Sequence, residues 1–130
     1  MSKIPENLKY AESHEWMRVD EIDSTATVGV SDHAQQELGD VVFVELPEIG
    51  QQISAGDQIS VVESVKAASD IFSPVTGEVV AINDTLVDTP ELINTSPYLD
   101  GWLFKLKVTG ENRSDLLTAK QYAEIIADED

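Results

Sequence analysis

Short apolar runs separated by turn residues dominate this chain, and their periods predict strands more often than helices. Residues 24–30 alternate β-branched and small side chains, which is typical of a strand. Residues 102–108 place four apolar side chains on one side and two lysines on the other, which predicts a half-buried strand. Further strands are predicted at 15–19, 41–47, 58–64, 69–72 and 78–82.

Two segments have helical signals instead. Ser31 or Asp32 can cap a short helix whose last turn ends at Gly39. Near the C-terminus, apolar residues recur with helical spacing and predict a helix at about 114–127; they are Leu116, Leu117, Tyr122, Ile125 and Ile126. Many short strands with two helices predict a mainly β sandwich or barrel, and the connection at 83–100 has one possible helical turn.

Length and charge narrow the class of protein. The chain has 130 residues with 42% hydrophobic residues and no evident linker, so we expect one domain covering 1–130. Its net charge of -17 opposes binding to nucleic acids and to anionic membranes, and it favours solubility and basic partner surfaces. The N-terminus shows no signal core and no transit pattern. A bacterial cytoplasmic protein is the simplest reading, and a processed organellar protein stays open.

The segment at about 56–80 contains the most unusual lysine of the chain. Lys66 falls between two predicted strands, with small residues Ala67 and Ala68 after it, and Gly56 and Gly77 stand about equally far on either side. A lysine at a hairpin tip has a long flexible stem and suits covalent attachment of a group. Spacing alone favours an ordinary exposed lysine on a tight hairpin over an attachment site.

The sequence around Lys66 resembles the attachment segment of biotinyl and lipoyl carrier domains. The stretch "ESVKAASD" is most similar to the glycine cleavage H-protein family. "LKYAESHEWMRV", "TVGVSDHAQQELGDVVFVELPEIG" and "INTSPYLDGWLFKLK" are also similar to that family, so the resemblance runs from about Leu8 to Tyr122. Val65 and Ala67 stand where biotinyl domains usually have methionines, and Val65 stands where many lipoyl domains have an acid.

This resemblance implies a barrel-sandwich hybrid fold with a short internal helix and a C-terminal helix. It implies lipoate joined by an amide to Lys66, on an arm that carries an aminomethyl group from glycine decarboxylase to the aminomethyltransferase. Dihydrolipoamide dehydrogenase would reoxidise the arm, and a separate lipoylating enzyme would attach the lipoate. The chain itself would be a non-catalytic carrier, expected to be a monomer. A carrier domain of another lipoyl or biotinyl complex, or an unmodified interaction module, stays open.

Four polar residues are candidates for holding the arm or for recognition by the lipoylating enzyme. The resemblance implies that Ser13, Glu15 and Asp70 hold the loaded arm, with the two carboxylates pairing with its terminal amine. Glu63 and Asp70, three residues before and four after Lys66, are candidates for recognition by the lipoylating enzyme.

Other chemistry has little support in the sequence. The only histidines, His14 and His33, have no cysteine partners and no two-histidine helical spacing, so no metal site is predicted. Ser13, His14 and Glu15 are consecutive and cannot form a catalytic triad with one another, because neighbours on a strand face opposite ways. No phosphate-binding loop is present.

Overall fold

A computed structural model describes residues 3–112 and 116–129 of the chain. The elements in these ranges are β1 (Lys9–Tyr10), β2 (Glu15–Asp20), β3 (Thr25–Val30), α1 (Asp32–Leu38), β4 (Val41–Glu45), β5 (Gln52–Ile53), β6 (Gln58–Ser64), β7 (Ala68–Phe72), β8 (Val75–Ile82), α2 (Thr85–Asp88), α3 (Leu92–Thr95), β9 (Phe104–Asn112) and α4 (Ala119–Glu129). Every strand expected from periodicity is confirmed, whereas β1 and β5 were not expected. None of the described helices has the length and apolar character needed to cross a bilayer.

The strands form two antiparallel sheets. One has six strands in the order β1-β2-β3-β9-β8-β5, and the other has three in the order β4-β6-β7. The mainly β, sandwich-like prediction is confirmed, although the two sheets do not close into a barrel and one is larger than expected. The three-stranded sheet contains the β6–β7 hairpin, so this smaller sheet presents Lys66.

A shared hydrophobic core joins the two sheets. Val28 and Leu106 of the larger sheet belong to the same buried cluster as Val62 and Ile71 of the smaller one. Burying each such side chain contributes about 1.5–3 kcal/mol to the free energy of unfolding. The hairpin strands are therefore held in place by packing against the larger sheet. A second cluster packs the N-terminal segment against α4; its buried members are Leu8, Tyr10, Trp16, Tyr122 and Ile126.

Helix α1 begins and ends as its sequence predicts. The Ser31 hydroxyl accepts a hydrogen bond from the Ala34 N–H at 3.1 Å, which satisfies one of the unpaired donors of the first turn. Gly39 ends the helix with φ 77° and ψ −156°, and its N–H donates to the Gln35 carbonyl at 3.0 Å. Residues with a side chain rarely adopt that backbone conformation, so glycine suits the corner between α1 and β4.

The C-terminal helix starts later than predicted. Leu117 forms an isolated antiparallel bridge with Tyr10, and the Thr118 hydroxyl accepts a hydrogen bond from the Gln121 N–H at 3.2 Å. Thr118 therefore caps a helix that begins at Ala119, and the helical spacing of Leu116 and Leu117 was misleading. Residues 114 and 115 of the predicted helix lie outside the described residues.

Candidate functional site

Lys66 lies at the exposed tip of the β6–β7 hairpin, as the sequence predicts. The Ser64 N–H donates to the Ala67 carbonyl at 2.7 Å, and the Ser64 hydroxyl accepts hydrogen bonds from the N–H groups of Lys66 and Ala67. Serine is suited to this role, because its short side chain can bond nearby backbone groups in a turn. Among the described residues, the Lys66 ammonium has no hydrogen-bond or ion-pair partner, which leaves it accessible at the tip.

The hairpin tip is also tied to the corner between α1 and β4. The Val65 N–H donates to the Asp40 carbonyl at 3.0 Å. A β-carbon built on Gly39 would lie 3.7 Å from Cε of Lys66, so the lysine stem passes beside this glycine. The Asn94 amide supports the corner from α3, since it donates to the Gly39 carbonyl at 2.8 Å and accepts from the Val41 N–H at 2.9 Å. These hydrogen bonds fix the backbone beside Lys66, whereas its ammonium group remains exposed.

A groove of about 360 Å³ runs beside the hairpin. Its lining combines apolar and polar side chains from three parts of the chain: Ser13, His14, Val30, Ala34, Glu37, Leu38, Ala67, Ala68, Ser69 and Ile71. The volume lies within the range of small-molecule sites. Larger hollows exist elsewhere, such as one of about 630 Å³ beside Arg18 and Lys105, but the residues lining it do not include the hairpin. The groove is therefore a cavity beside the hairpin that a group on Lys66 could reach.

Ser13 and Glu15 lie together where β2 meets the smaller sheet. Glu15 is only 1% exposed, and its carboxylate accepts hydrogen bonds from the Ser13 hydroxyl and, at 3.0 Å, from the Phe72 N–H of β7. A buried carboxylate needs such partners, because desolvating an unpaired charge is costly. Glu15 therefore links the two sheets and orients Ser13, which is itself exposed and lines the groove.

The two acids of the hairpin strands occupy different environments. Asp70 is exposed on β7 opposite Val61, and in the described part of the chain its carboxylate has no hydrogen-bond or ion-pair partner. Glu63 is half-buried on β6 opposite Ala68. The fold thus brings Ser13 and Glu15 into direct contact, and it leaves Asp70 available to a ligand or an enzyme.

A cluster at the groove, in which His14 and Glu37 line it and His33 lies behind them, escaped the sequence analysis as a group. One ligand atom each from His14, His33 and Glu37 lies within 4.8 Å of the others. Nδ1 of His14 is 2.7 Å from the Tyr122 hydroxyl, which in turn is 2.6 Å from the Ser31 hydroxyl. The spacing of His33 and Glu37, four residues apart on α1, was a usable signal. The sequence carries no comparable signal for the position of His14 beside them, because that position depends on the pairing of β2 with β3.

The arrangement as a whole is that of a tethering site. An exposed primary amine on a fixed turn is available for acylation, whereas no described group beside it is placed as its base or nucleophile. The neighbouring groove can shelter a short apolar chain, and its lining offers the Ser13 hydroxyl and the Glu37 carboxyl group to a cation.

Comparisons with known proteins agree on one family. A family model described as glycine cleavage H-protein matches residues 8–129. The glycine cleavage system H protein of Alcanivorax borkumensis is 62% identical over 123 residues, covering 94% of each chain. That of Salmonella arizonae is 55% identical over 130 residues, covering 99% of this chain and 100% of the relative. A crystal structure of a glycine cleavage system H protein from Mycobacterium marinum superposes with a TM-score of 0.89 at 39% identity, covering 95% of this chain and 99% of that one.

Proposed function

The chain belongs to the glycine cleavage H-protein family, and we propose that Lys66 is the residue through which it carries lipoate. Within this family the chain is the lipoyl carrier of the glycine cleavage system. The match over nearly the whole chain gives no support to a carrier domain of another complex or to an unmodified interaction module. The observation that carries the assignment of Lys66 is its exposed position at a turn fixed by Ser64 and Asp40.

The surroundings of Lys66 fit a lipoyl group. Amide formation removes the lysine charge, so the modified side chain can lie against apolar surface at a lower desolvation cost. The groove supplies such surface through Val30, Leu38 and Ile71, and the small side chains of Ala67 and Ala68 leave its entrance open. Gly39 keeps the lysine stem clear of any side chain at the end of α1.

The chain positions the lipoyl arm, and partner enzymes catalyse the reactions of the group that the arm carries. When attached, the lipoyl group provides a redox-active disulfide that can accept the aminomethyl group of glycine. We propose that glycine decarboxylase loads the carrier, that the aminomethyltransferase unloads it, and that dihydrolipoamide dehydrogenase reoxidises it. The net charge of -17 favours basic surfaces on these partners. We propose a monomer, because one tip must visit several active sites, and we propose a bacterial cytoplasmic location.

We further propose that the polar end of the groove holds the cargo amine. Asp70 offers an exposed carboxylate that can pair with an ammonium group, and Ser13 offers a hydroxyl at the groove. Glu15 is buried behind Ser13, and its carboxyl group accepts the hydrogen bond that sets the direction of the Ser13 hydroxyl. Pairing the amine and covering it from water would slow the loss of the cargo.

The attachment proposal is tested by the intact mass of protein from cells supplied with lipoate, followed by peptide mapping. We expect one lipoyl group on Lys66, none on Lys66→Arg, and full modification of the control variant Lys105→Arg. Arginine keeps the charge but cannot be acylated under these conditions. An unmodified Lys66 beside an active lipoylating enzyme would contradict the proposal, and biotin at Lys66 would move the protein to carboxylase chemistry.

The amine-holding proposal is tested by the rate at which loaded carrier loses its cargo to water. Removing an exposed ion pair costs about 0.2–1 kcal/mol, so we expect Asp70→Asn to lose cargo about 1.4- to 5-fold faster. Glu15→Ala should have a larger effect, because it also frees Ser13. Asp88→Asn, an exposed acid on α2, is the matched control. Unchanged rates in both Asp70→Asn and Glu15→Ala would refute the proposal.

We propose that the lipoylating enzyme recognises Glu63 and Asp70. Both flank the turn on neighbouring strands, within reach of any enzyme that binds the tip. Initial rates of lipoylation should fall in Glu63→Ala and in Asp70→Asn but not in Asp88→Asn. Wild-type rates for Glu63→Ala, with unchanged thermal stability, would remove Glu63 from this role.

A further inference from the structure

We infer that His14, His33 and Glu37 form a binding site for a divalent transition-metal ion, with Zn²⁺ as the ion that fits best. Two of the ligands come from α1, and the third precedes β2. Their ligand atoms lie within 4.8 Å of one another, and His14 and Glu37 line the groove, whereas His33 is buried. The inference adds a function to the groove that carriage of a lipoyl group does not require.

The donor set suits zinc. Two imidazoles and one carboxylate are the three protein ligands of several zinc sites in which a fourth position stays open. The chain contains no cysteine, so no thiolate competes for such an ion elsewhere in the protein. The many other carboxylates of the chain are hard oxygen ligands and lack nitrogen partners, so they should bind zinc weakly by comparison.

The present geometry needs only a small rearrangement. Nε2 of His33 is 2.5 Å from Oε1 of Glu37, closer than the separation of about 3.3 Å between two ligands of one tetrahedral zinc ion. The Glu37 side chain is 60% exposed and can turn, whereas His33 is 4% exposed and fixed in the protein. An ion entering between them would replace their contact and draw the third ligand inward.

A supporting contact orients the His14 ring. The Tyr122 hydroxyl lies 2.7 Å from Nδ1 of His14 and 2.6 Å from the Ser31 hydroxyl, which is itself held as the cap of α1. When Nδ1 carries the proton toward Tyr122, Nε2 carries the lone pair that binds a metal. Metal-binding histidines usually have such a partner, and removing it typically costs about 10- to 100-fold in metal affinity.

An ion pair between His33 and Glu37, with His14 packed nearby, is the competing explanation of the cluster. It accounts for the 2.5 Å contact and predicts no response to metal. The rings of His14 and His33 also lie 5.0 Å apart between centroids, a contact that needs no ion. The two explanations therefore differ in what happens to both rings when Zn²⁺ is added.

Untagged, unlipoylated protein is the sample for the test, because zinc binding at this site needs no lipoyl group. The chain has two histidines, so their ring NMR signals are readily assigned. We expect Zn²⁺ to shift both sets of signals together, with saturation at one equivalent. Binding should weaken at acidic pH, because protons compete with the metal ion for its ligands.

Variants separate the site from general cation binding. Glu37→Gln should raise the Kd for Zn²⁺ at least about tenfold, and Tyr122→Phe about 10- to 100-fold with the ligands intact. Glu48→Gln, an exposed acid outside the cluster, should leave the Kd unchanged. Ring signals that do not move at one equivalent of Zn²⁺, or equal effects of Glu37→Gln and Glu48→Gln, would overturn the inference. Either result would leave the proposed lipoyl attachment unaffected.

Discussion

Replacing Gly39 by alanine should destabilise the protein and impair presentation of Lys66. Gly39 has φ 77° and ψ −156°, a region that is essentially restricted to glycine, and occupying it with another residue costs about 1–3 kcal/mol. The added β-carbon would meet Cε of Lys66 at 3.7 Å, an ordinary contact distance. The cost therefore comes from the backbone and not from a clash. We expect the free energy of unfolding to fall by about 1–3 kcal/mol.

Relief of that strain would move the neighbouring Asp40 carbonyl, which holds the Val65 N–H at 3.0 Å. Gly50→Ala is the matched control, since Gly50 also has a positive φ of 94° and has no atom within 4 Å of an added β-carbon. Gly50 lies in the turn before β5, outside the hairpin that carries Lys66. Both variants should lose stability, but only Gly39→Ala should also slow lipoylation.

Urea unfolding followed by tryptophan fluorescence gives the free energies, and initial rates with a lipoylating enzyme give the second readout. The rates must be measured where each variant is fully folded, so that loss of stability cannot imitate loss of presentation. A change below about 0.5 kcal/mol in Gly39→Ala would refute the strain argument. Equal slowing of lipoylation in Gly39→Ala and Gly50→Ala would refute the link between this corner and the hairpin tip.

Three further predictions concern stability, each measured by urea unfolding. Ser31→Ala removes the cap of α1 and the partner of the Tyr122 hydroxyl, so the free energy of unfolding should fall by about 1–3 kcal/mol; no change would mean that water replaces both bonds. Gly77→Ala would place a β-carbon 2.3 Å from the Lys107 carbonyl oxygen, which forces β8 and β9 apart, so a loss of at least about 2 kcal/mol is expected; a near-neutral result would contradict that close approach. Burial raises the pKa of Tyr98 from 10.0 to about 12, so the folded state keeps a proton that the unfolded chain releases, and stability should fall as pH rises from about 10 to 12. Tyr98→Phe should reduce that fall between about pH 10 and 12, and an unchanged slope would assign it to other groups.

Local sequence was sufficient where an element carries its own signal. The alternation at 102–108 predicted the strand β9, and Ser31 with Gly39 marked both ends of α1. The turn residues around Lys66 predicted its exposed position, and the family resemblance connected it with lipoate. These features depend on backbone preferences and short-range hydrogen bonds, which the chain specifies within a few residues.

Only the tertiary structure decided the contacts between distant segments. The short strands β1 and β5 have two residues each and depend on pairing with a neighbouring strand. Leu117, which belongs to a helical pattern in the sequence, pairs with Tyr10 as a β-bridge instead. In the sequence, Glu15 cannot be distinguished from the many surface acids. In the structure, packing against β7 buries it, and its carboxyl group accepts a hydrogen bond from the Phe72 N–H. His14 meets His33 and Glu37 for the same kind of reason, because strand pairing and core packing join residues whose sequence separation hides their contact.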